Sequence, residues 1–212
     1  MRGVLITVEG VEGSGKTTQC RLLAESLRGQ GHRVRETSEP DGSPIGAAIR
    51  AIFDQAGVGL TPLTEALLFM AARQQHVAQV ITPALEAGEI VVSDRYADAT
   101  LAYQGYGRGL DLQTIRELNA LATGGVLPDL TLLLDLDPGL GLKRLGGRAL
   151  DAFEKLDFSF HRKVRQGYLE LAREEKNRIV IFDAEQPTDR LEQDIRKAVG
   201  ELLRQRGWAR GV

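Results

Sequence analysis

The sequence predicts a single α/β domain, 1–212, in which a sheet is covered by helices on both faces. Short apolar runs alternate with longer segments of helical period along the chain, without internal repeats or low-complexity linkers. The apolar runs are continuous, as expected for strands buried on both faces, and a glycine-rich loop follows the first run. With 212 residues, 42% of them hydrophobic, the chain is long enough to bury one large core.

Five runs predict strands and seven segments between them predict helices. The predicted strands are VLITVE (4–9), RVRET (33–37), EIVVSD (89–94), LTLLLDLD (130–137) and RIVIFD (178–183). The predicted helices are 16–29, 44–55, 63–87, 111–122, 138–145, 154–176 and 188–206. Glycines end the first helix at Gly29 and the third at Gly88, and Asp111 caps the fourth. Pro83 is expected to kink or shorten the third helix, because proline lacks the N–H that a helix interior needs.

Composition and charge argue against several classes of partner. A formal net charge of −2 is not typical of proteins that coat nucleic acid or membranes, which usually carry a basic surface. The longest apolar runs fall well below the roughly 18 residues of a membrane span, and the N-terminal run is too short for a signal peptide. Cys20 has no second cysteine to pair with. We therefore expect a cytoplasmic protein that binds neither nucleic acid nor membrane.

The stretch GVEGSGKT (10–17) matches the phosphate-binding pattern G-x-x-x-x-G-K-[ST] between a predicted strand and a predicted helix. Its backbone N–H groups can converge on phosphates at a helix N-terminus. Lys16 is expected to reach the β- and γ-phosphates, and the Thr17 hydroxyl to bind Mg²⁺. The residues predicted to contact the nucleotide are Gly10, Val11, Glu12, Gly13, Ser14, Gly15, Lys16, Thr17 and Thr18. The loop alone leaves kinases, GTPases, motors and passive binding modules open.

Two further stretches suggest ligand contacts. SDRYADATLAYQGYGRGL (93–110) begins at the carboxyl end of a predicted strand, where Asp94 could hold a magnesium-bound water and Arg95 could clamp a phosphate. An Asp-Arg pair is equally common at an ordinary helix start. In TEALLFMAARQQH (64–76), Phe69 and Arg73 share a helix face and could stack on a base and bind its carbonyl edge. Taken alone, that pair is more often a core phenylalanine and a solvated arginine.

A third stretch, GLKRLGGRALDAFEK (141–155), is basic and contains adjacent glycines between two helical segments. This pattern is typical of a mobile flap, and it would carry Lys143, Arg144 and Arg148 over the site.

Several of these motifs together resemble one family, the bacterial thymidylate kinases. The matching stretches are EGVEGSGKTT, EPDGSPIG, LLFMAARQQH, SDRYADATLAYQGYGRG, LLLDLDP and FDAEQP. Their order and spacing match over almost the whole chain. The resemblance implies a P-loop NTPase fold with a five-stranded parallel sheet flanked by helices, and a small mobile lid at about 143–155. It also implies a homodimer that uses Mg²⁺ and transfers the γ-phosphoryl group of ATP to dTMP.

The resemblance implies roles for five residues around the nucleoside of the acceptor. Phe69 would stack on thymine, and Arg73 would hydrogen-bond its carbonyl edge. Thr100 and Gln104 would lie near the base. Tyr103 would lie against the sugar where a ribose 2′-hydroxyl would project, which favours a deoxy substrate.

Other residues would bind the phosphates, the metal and the donor. Arg50 and Arg95 would hold the acceptor's 5′-phosphate, and Glu12 would face its 3′-hydroxyl. Thr17 and Asp94 are the predicted metal-binding residues. The adenine side would be bound by Arg144 and by the segment 184–187, which includes Ala184 and Gln186.

Catalysis needs in-line positioning and neutralisation of charge on the transferred group. The predicted catalytic residues are Glu12, Lys16, Arg95 and Arg148. Family members whose phosphate loop lacks arginine, as here, take this arginine from the flap, which points to Arg148. The flap departs from the family at Ala152, where arginine is expected, and is about one residue shorter. Two more departures are Ser38, often arginine in the family, and Asp41, usually glycine.

Three alternatives remain open beside this interpretation. The first is a kinase for another nucleoside monophosphate or for a deoxynucleoside. The second is a nucleotide-binding protein that has lost catalysis, as the altered flap would allow. The third, a GTPase switch, is disfavoured because LLLDLDPG lacks the Asn-Lys-x-Asp run that binds guanine.

Overall fold

A computed structural model describes residues 2–55, 59–146 and 153–208. At its centre is a five-stranded sheet with strand order β2-β3-β1-β4-β5, in which every pairing is parallel. The strands are β1 (Val4–Gly10), β2 (Val34–Ser38), β3 (Ile90–Asp94), β4 (Leu130–Asp135) and β5 (Ile179–Asp183). The five strands and the parallel sheet expected from the sequence are confirmed.

The strand order reverses around β1, which lies between β3 and β4. The register pairs Val8 with Asp94 and Gly10 with Leu134, so the carboxyl ends of the three central strands lie side by side. In open α/β sheets such a switch point is where ligands bind. The glycine-rich loop and the residues after β3 therefore lie at the same edge of the sheet.

Burial differs between the central and the edge strands. All of β1 is buried, whereas Arg35 and Glu36 in β2 and Val180 and Ile181 in β5 are exposed. The expectation that every strand is buried on both faces is thus wrong for β2 and β5. They form the two edges of the sheet, where the flanking helices cover less of each strand.

Nine α-helices flank the sheet within the described residues. They are α1 (Lys16–Gly29), α2 (Pro44–Asp54), α3 (Pro62–His76), α4 (Thr82–Glu86), α5 (Ala97–Thr100), α6 (Leu112–Thr123), α7 (Pro138–Arg144), α8 (Phe158–Glu174) and α9 (Thr188–Gln205). The Asp111 cap is confirmed, since its Oδ2 accepts the Thr114 N–H at 2.8 Å. In the described part of the chain, no helix has both the length and the apolar character to cross a membrane.

Alternate residues of the central strands enter two apolar cores on opposite faces of the sheet. Ile6 and Val92 belong to the larger core, and Leu5 and Val91 to the smaller one. This alternation follows from the two-residue period of a strand. Both faces are therefore covered, as the sequence predicts.

Two helical regions differ from the prediction. The single helix expected over 63–87 is divided into α3 and α4 by a π-helical turn, Val77–Ile81. This turn lies just before Pro83, whose missing N–H disturbs the regular bonding of the preceding turn. The second region is α5 followed by a π-helical turn, Leu101–Gly107, in a stretch for which no helix was predicted.

Candidate active site

A cleft of about 600 Å³ opens beside the carboxyl ends of β1 and β3. The predicted site residues that line it are Glu12, Gly13, Gly15, Lys16, Thr17, Thr18, Arg50, Phe69, Arg73, Asp94, Arg95, Thr100, Tyr103, Gln104 and Arg144. Five other predicted residues do not line it: Gly10, Val11, Ser14, Ala184 and Gln186. Arg148, the predicted flap arginine, lies outside the described residues, as does much of the predicted lid.

The glycine-rich loop needs its glycines for two reasons. Gly10, Gly13 and Gly15 all have positive φ, at 146°, 71° and 91°, which side chains disfavour. A Cβ on Gly13 would also run into the backbone of Gly141 in α7, and one on Gly10 would crowd the Leu134 carbonyl. The loop can therefore pack against β4 and α7. Its backbone N–H groups then lie at the start of α1.

Lys16 lies buried at the first residue of α1. Its Nζ donates to the Val11 carbonyl oxygen at 2.8 Å, across the loop. Burial, together with the positive charge of Arg95, lowers the pKa of Lys16 to about 8. An anionic phosphate in the loop would oppose this shift, because it stabilises the charged ammonium.

The two predicted metal-binding residues are in direct contact. The Thr17 hydroxyl donates to Asp94 Oδ2 at 2.5 Å, so two hard oxygen ligands lie together at the mouth of the loop. Within the described part of the chain, no group of three His, Cys, Asp or Glu side chains could hold a metal ion. The oxygen donors fit Mg²⁺, which would take its other ligands from water and from nucleotide phosphates.

Arg95 adopts a left-handed backbone conformation, with φ of 71°. For a residue other than glycine this costs roughly 1–2 kcal/mol, so the surrounding structure must impose it. The Arg95 N–H donates to Val8 O at 3.0 Å, and the Ser93 hydroxyl donates to Arg95 O at 2.8 Å. These bonds aim the guanidinium back toward the loop.

The guanidinium of Arg95 meets Glu12 and Tyr103 in the cleft. Its Nη2 donates to Glu12 Oε1 at 2.7 Å and to the Tyr103 hydroxyl at 3.1 Å, and that hydroxyl donates to Glu12 Oε2. Burial alone would raise the pKa of Glu12, but Arg95 and Lys16 lower it below its usual value. The fold thus brings together Glu12, Arg95 and Tyr103, the three residues predicted to contact the sugar and phosphate of the acceptor.

A second carboxyl group, Glu9, is linked to Arg95 through the Tyr168 hydroxyl and was not predicted to be part of the site. It accepts the Tyr96 N–H and the Tyr168 hydroxyl, each at 2.7 Å. Burial and the nearby Asp98 raise the pKa of Glu9 to about 8. A signal was present in the sequence, since a glutamate ending an apolar strand must find buried partners.

Arg73 is fully buried and forms the centre of a polar network. Its Nε and Nη2 donate to Glu39 Oε2 at 2.9 and 2.7 Å, and Nη2 also donates to Tyr96 O. Its Nη1 donates to Thr100 Oγ1 at 2.9 Å and to Asn119 Oδ1 at 2.7 Å. A guanidinium has five N–H donors, so all of them have acceptors within the protein. Any bond from Arg73 to a base must therefore be shared with one of these acceptors.

Three phenylalanines form an apolar wall of the cleft. Phe53 stacks on Phe69 at a centroid distance of 4.6 Å with 16° between the planes. Phe153 contacts both rings, at 5.7 and 5.8 Å. Only Phe69 was predicted to be part of the site. Phe53, at the end of α2, could have been noticed as an aromatic residue three positions after Arg50 on a predicted helix.

Arg50 faces the cleft but is paired with a neighbour. Its Nε lies 3.0 Å from both carboxylate oxygens of Asp41. Both side chains are partly exposed, at 38% and 43%. The residue that departs from the family, Asp41, therefore neutralises the arginine predicted to hold the acceptor phosphate.

Of the predicted adenine-side residues, Arg144 lines the cleft, whereas Ala184 and Gln186 do not. Arg144 donates to Ala184 O at 2.9 Å, which links α7 to the segment after β5. Gln186 lies 3.5 Å from Asp194 and is turned toward α9. Arg144 also reaches Gly13 O at 3.5 Å, so it bridges the glycine-rich loop and this segment.

The sequence and the fold are both similar to those of known proteins. The Thymidylate kinase family model matches residues 8–195. A thymidylate kinase of Deinococcus radiodurans is 51% identical over 201 residues, covering 94% of this chain and 98% of the relative. One of Geotalea uraniireducens is 51% identical over 205 residues, covering 93% and 96%. The crystal structure of thymidylate kinase from Ehrlichia chaffeensis has a TM-score of 0.78 at 34% identity, covering 94% of this chain and 99% of that one.

Proposed function

The chain belongs to the thymidylate kinase family, and from this membership we propose how its cleft divides the work of phosphoryl transfer. The protein is an ATP-dependent kinase that converts dTMP to dTDP. The observation that carries the proposed roles is a single cleft in which Lys16 of the glycine-rich loop lies beside the cluster of Arg95, Glu12 and Tyr103. One cleft can then bring donor and acceptor phosphates into line.

The donor side is built on the glycine-rich loop. Its N–H groups and Lys16 would bind the β- and γ-phosphates of ATP, and Arg144 would support the nucleotide at the rim. Thr17 and Asp94 would hold Mg²⁺, which when bound neutralises charge on the phosphate oxygens. Lys16 would be fully charged once the phosphates are bound, because their negative charge opposes the lowering of its pKa by burial and by Arg95.

The acceptor side centres on Arg95. Its guanidinium would bind the 5′-phosphate of dTMP, with Arg50 contributing from α2. Glu12, held as a carboxylate by Arg95 and Lys16, would accept a hydrogen bond from the 3′-hydroxyl. Tyr103 is fixed by its bonds to Glu12 and Arg95, and would exclude a 2′-hydroxyl by steric contact.

The base would lie against the aromatic wall. Phe69 would stack on the thymine ring, as flat apolar surfaces do. Thr100 and Gln104 would contact its polar edge, and Arg73 would act there through the hydroxyl of Thr100 that it already binds.

Catalysis would consist of positioning and charge neutralisation. The acceptor's phosphate oxygen is already a nucleophile, so no strong general base is required. Lys16 and Arg95 would supply part of the positive charge for the transferred group, and Arg148 would supply the rest from the flap.

A coupled assay for ADP tests this function, with Mg-ATP and each common nucleoside and deoxynucleoside monophosphate in turn. Rapid turnover confined largely to dTMP is expected. Faster turnover with a different acceptor would reassign the substrate. ATP binding without turnover on any acceptor would indicate a binding protein that has lost catalysis.

The protein would act as a homodimer in the cytoplasm, where ATP and dTMP are available. Support for a dimer comes from exposed leucines on packed helices, namely Leu63 and Leu67 in α3 and Leu121 in α6. Sedimentation of the wild type and of a Leu67→Glu variant tests this, with loss of the dimer expected for the variant. A monomeric wild type would refute it.

A further inference from the structure

Glu65 is a buried carboxylate on α3 that binds Gln104 and Arg108. Its Oε1 accepts from Gln104 Nε2 at 2.8 Å, and the Arg108 guanidinium donates to Oε1 at 3.2 Å and to Oε2 at 2.9 Å. Glu65 is 4% exposed, and Gln104, within the π-helical turn Leu101–Gly107, is 2% exposed. The pair is therefore shielded from water on the side away from the cleft.

The chemistry of this contact fixes the orientation of the Gln104 amide. A carboxylate paired with an arginine can only accept hydrogen bonds, so the amide must turn its NH₂ group toward Glu65. The amide oxygen then lies on the other side, and Gln104 lines the cleft. Within the described ranges, no group donates a hydrogen bond to this oxygen. Gln104 therefore carries an acceptor that is open to a ligand.

Thr100, which also lines the cleft, is fixed in the opposite sense. Its Oγ1 accepts from Arg73 Nη1 at 2.9 Å, and Arg73 can only donate. The hydroxyl proton of Thr100 has no acceptor among the described residues, so it can be donated to a ligand. The polar edge of the pocket thus offers one oriented acceptor and one oriented donor.

We propose that Glu65 is a positioning residue that sets base selectivity by holding Gln104 as an acceptor for the N3–H of thymine. The inference rests on the proposed function and deepens it. Thymine donates from N3 and accepts at its carbonyl oxygens, which matches Gln104 and Thr100. Cytosine has an acceptor at N3, so its lone pair would face the amide oxygen, and Glu65 prevents the amide flip that would relieve this. Unpaired polar groups of this kind are what give hydrogen-bonding sites their high selectivity.

The test compares dTMP with 5-methyl-dCMP, which keeps the methyl group and changes only the hydrogen-bonding edge. In Glu65→Gln the new amide can present either an acceptor or a donor to Gln104, so the orientation is no longer enforced. The ratio of kcat/KM for dTMP to that for 5-methyl-dCMP should fall at least tenfold. Gln104→Leu, which removes the amide, sets the ratio expected when no acceptor is present.

Arg108→Lys is the matched control. It disturbs the same ion pair but leaves a carboxylate at position 65, so its selectivity ratio should stay within threefold of wild type. An unchanged ratio in Glu65→Gln would overturn the inference, as would an equal fall in both variants. If the wild type did not phosphorylate dTMP at all, the proposed function would fail instead, which is a distinct outcome.

A second measurement does not depend on whether Glu65→Gln folds. In wild-type protein bound to dTMP labelled with ¹⁵N at N3, the imino proton should be protected from solvent exchange. The protection should be lost in the Gln104→Leu complex. Exchange as fast as in free dTMP would show that Gln104 presents no acceptor, and would overturn the inference.

Discussion

Replacing Asp41 by asparagine should strengthen the binding of dTMP. Asp41 holds the Nε of Arg50 between its two oxygens at 3.0 Å, and both residues line the cleft. A phosphate bound by Arg50 must compete with this carboxylate and tolerate its negative charge. Asparagine keeps the size of the side chain and removes the charge.

Two terms set the size of the effect. The Arg50–Asp41 pair is partly exposed, at 38% and 43%, and exposed pairs contribute about 0.2–1 kcal/mol. Two like unit charges about 6 Å apart in water repel by about 0.7 kcal/mol, and removing the Asp41 charge would remove a term of this order for each unit of phosphate charge. Together they predict about 1–2 kcal/mol, or a KM for dTMP that is about 5–30 times lower. The gain should shrink as salt is added, because both terms are screened.

Steady-state kinetics at fixed saturating Mg-ATP measure this effect, at low and at high ionic strength. The control is Glu25→Gln, which removes one negative charge from an exposed pair with Arg21 on α1, outside the cleft. Its KM for dTMP should match that of the wild type. An unchanged or higher KM in Asp41→Asn would refute the reasoning, since it would mean that Asp41 positions Arg50 for the phosphate rather than competing with it.

Three further predictions concern the flap, the sugar and the loop lysine. Arg148→Ala should lower the rate of transfer at least about a hundredfold with ATP binding nearly intact, and an effect below threefold in single-turnover kinetics would move the role to Arg144 or Lys143. Tyr103→Ala should reduce the preference for deoxy over ribo acceptors by about tenfold or more, while Tyr103→Phe keeps the ring and the preference; equal ratios of kcat/KM in both variants would contradict this. Because the pKa of Lys16 is lowered to about 8, ATP binding should weaken as the pH rises above 8 and should take up a proton there. Calorimetry in buffers of different ionisation enthalpy measures that uptake, and its absence at pH 8.5 would argue against the low pKa.

The strands and most of the helices were predictable because their signals are local. Four of the strands contain short apolar runs, whereas β2 (VRETS) has only Val34, and Asp111 and the glycines mark helix ends within a few residues. The π-helical turn Leu101–Gly107 had no such signal, because it contains two glycines that disfavour helix. Packing explains the two glycines: a Cβ on Gly107 would meet Phe160 of α8, and one on Gly105 would meet Leu112 of α6. The close approach of α6 and α8 to this turn could not be predicted from its local sequence.

The same distinction applies to the site. The residues expected to touch ligand lie within short motifs, and the fold brings most of them into one cleft. Their partners lie far away in sequence, as with Glu39 and Arg73, Glu65 and Gln104, or Glu9 and Tyr168, which are 34, 39 and 159 residues apart. No motif spans such distances, so the sheet topology has to supply them.

The three glutamates in these pairs, Glu39, Glu65 and Glu9, share one property that affects the site. Each is a buried carboxyl group, and a carboxyl group inside a protein needs hydrogen-bond partners to offset the loss of water. By accepting hydrogen bonds, each carboxyl group fixes the orientation of the neighbouring amide, hydroxyl or guanidinium. Glu39 takes two donors of Arg73 and so leaves Nη1 for Thr100, while Glu65 decides which end of Gln104 faces the cleft. Substitution of these glutamates would therefore change the selectivity for the acceptor base, although they do not contact the base. The change would come from exchanged donor and acceptor positions in the pocket rather than from loss of a contact.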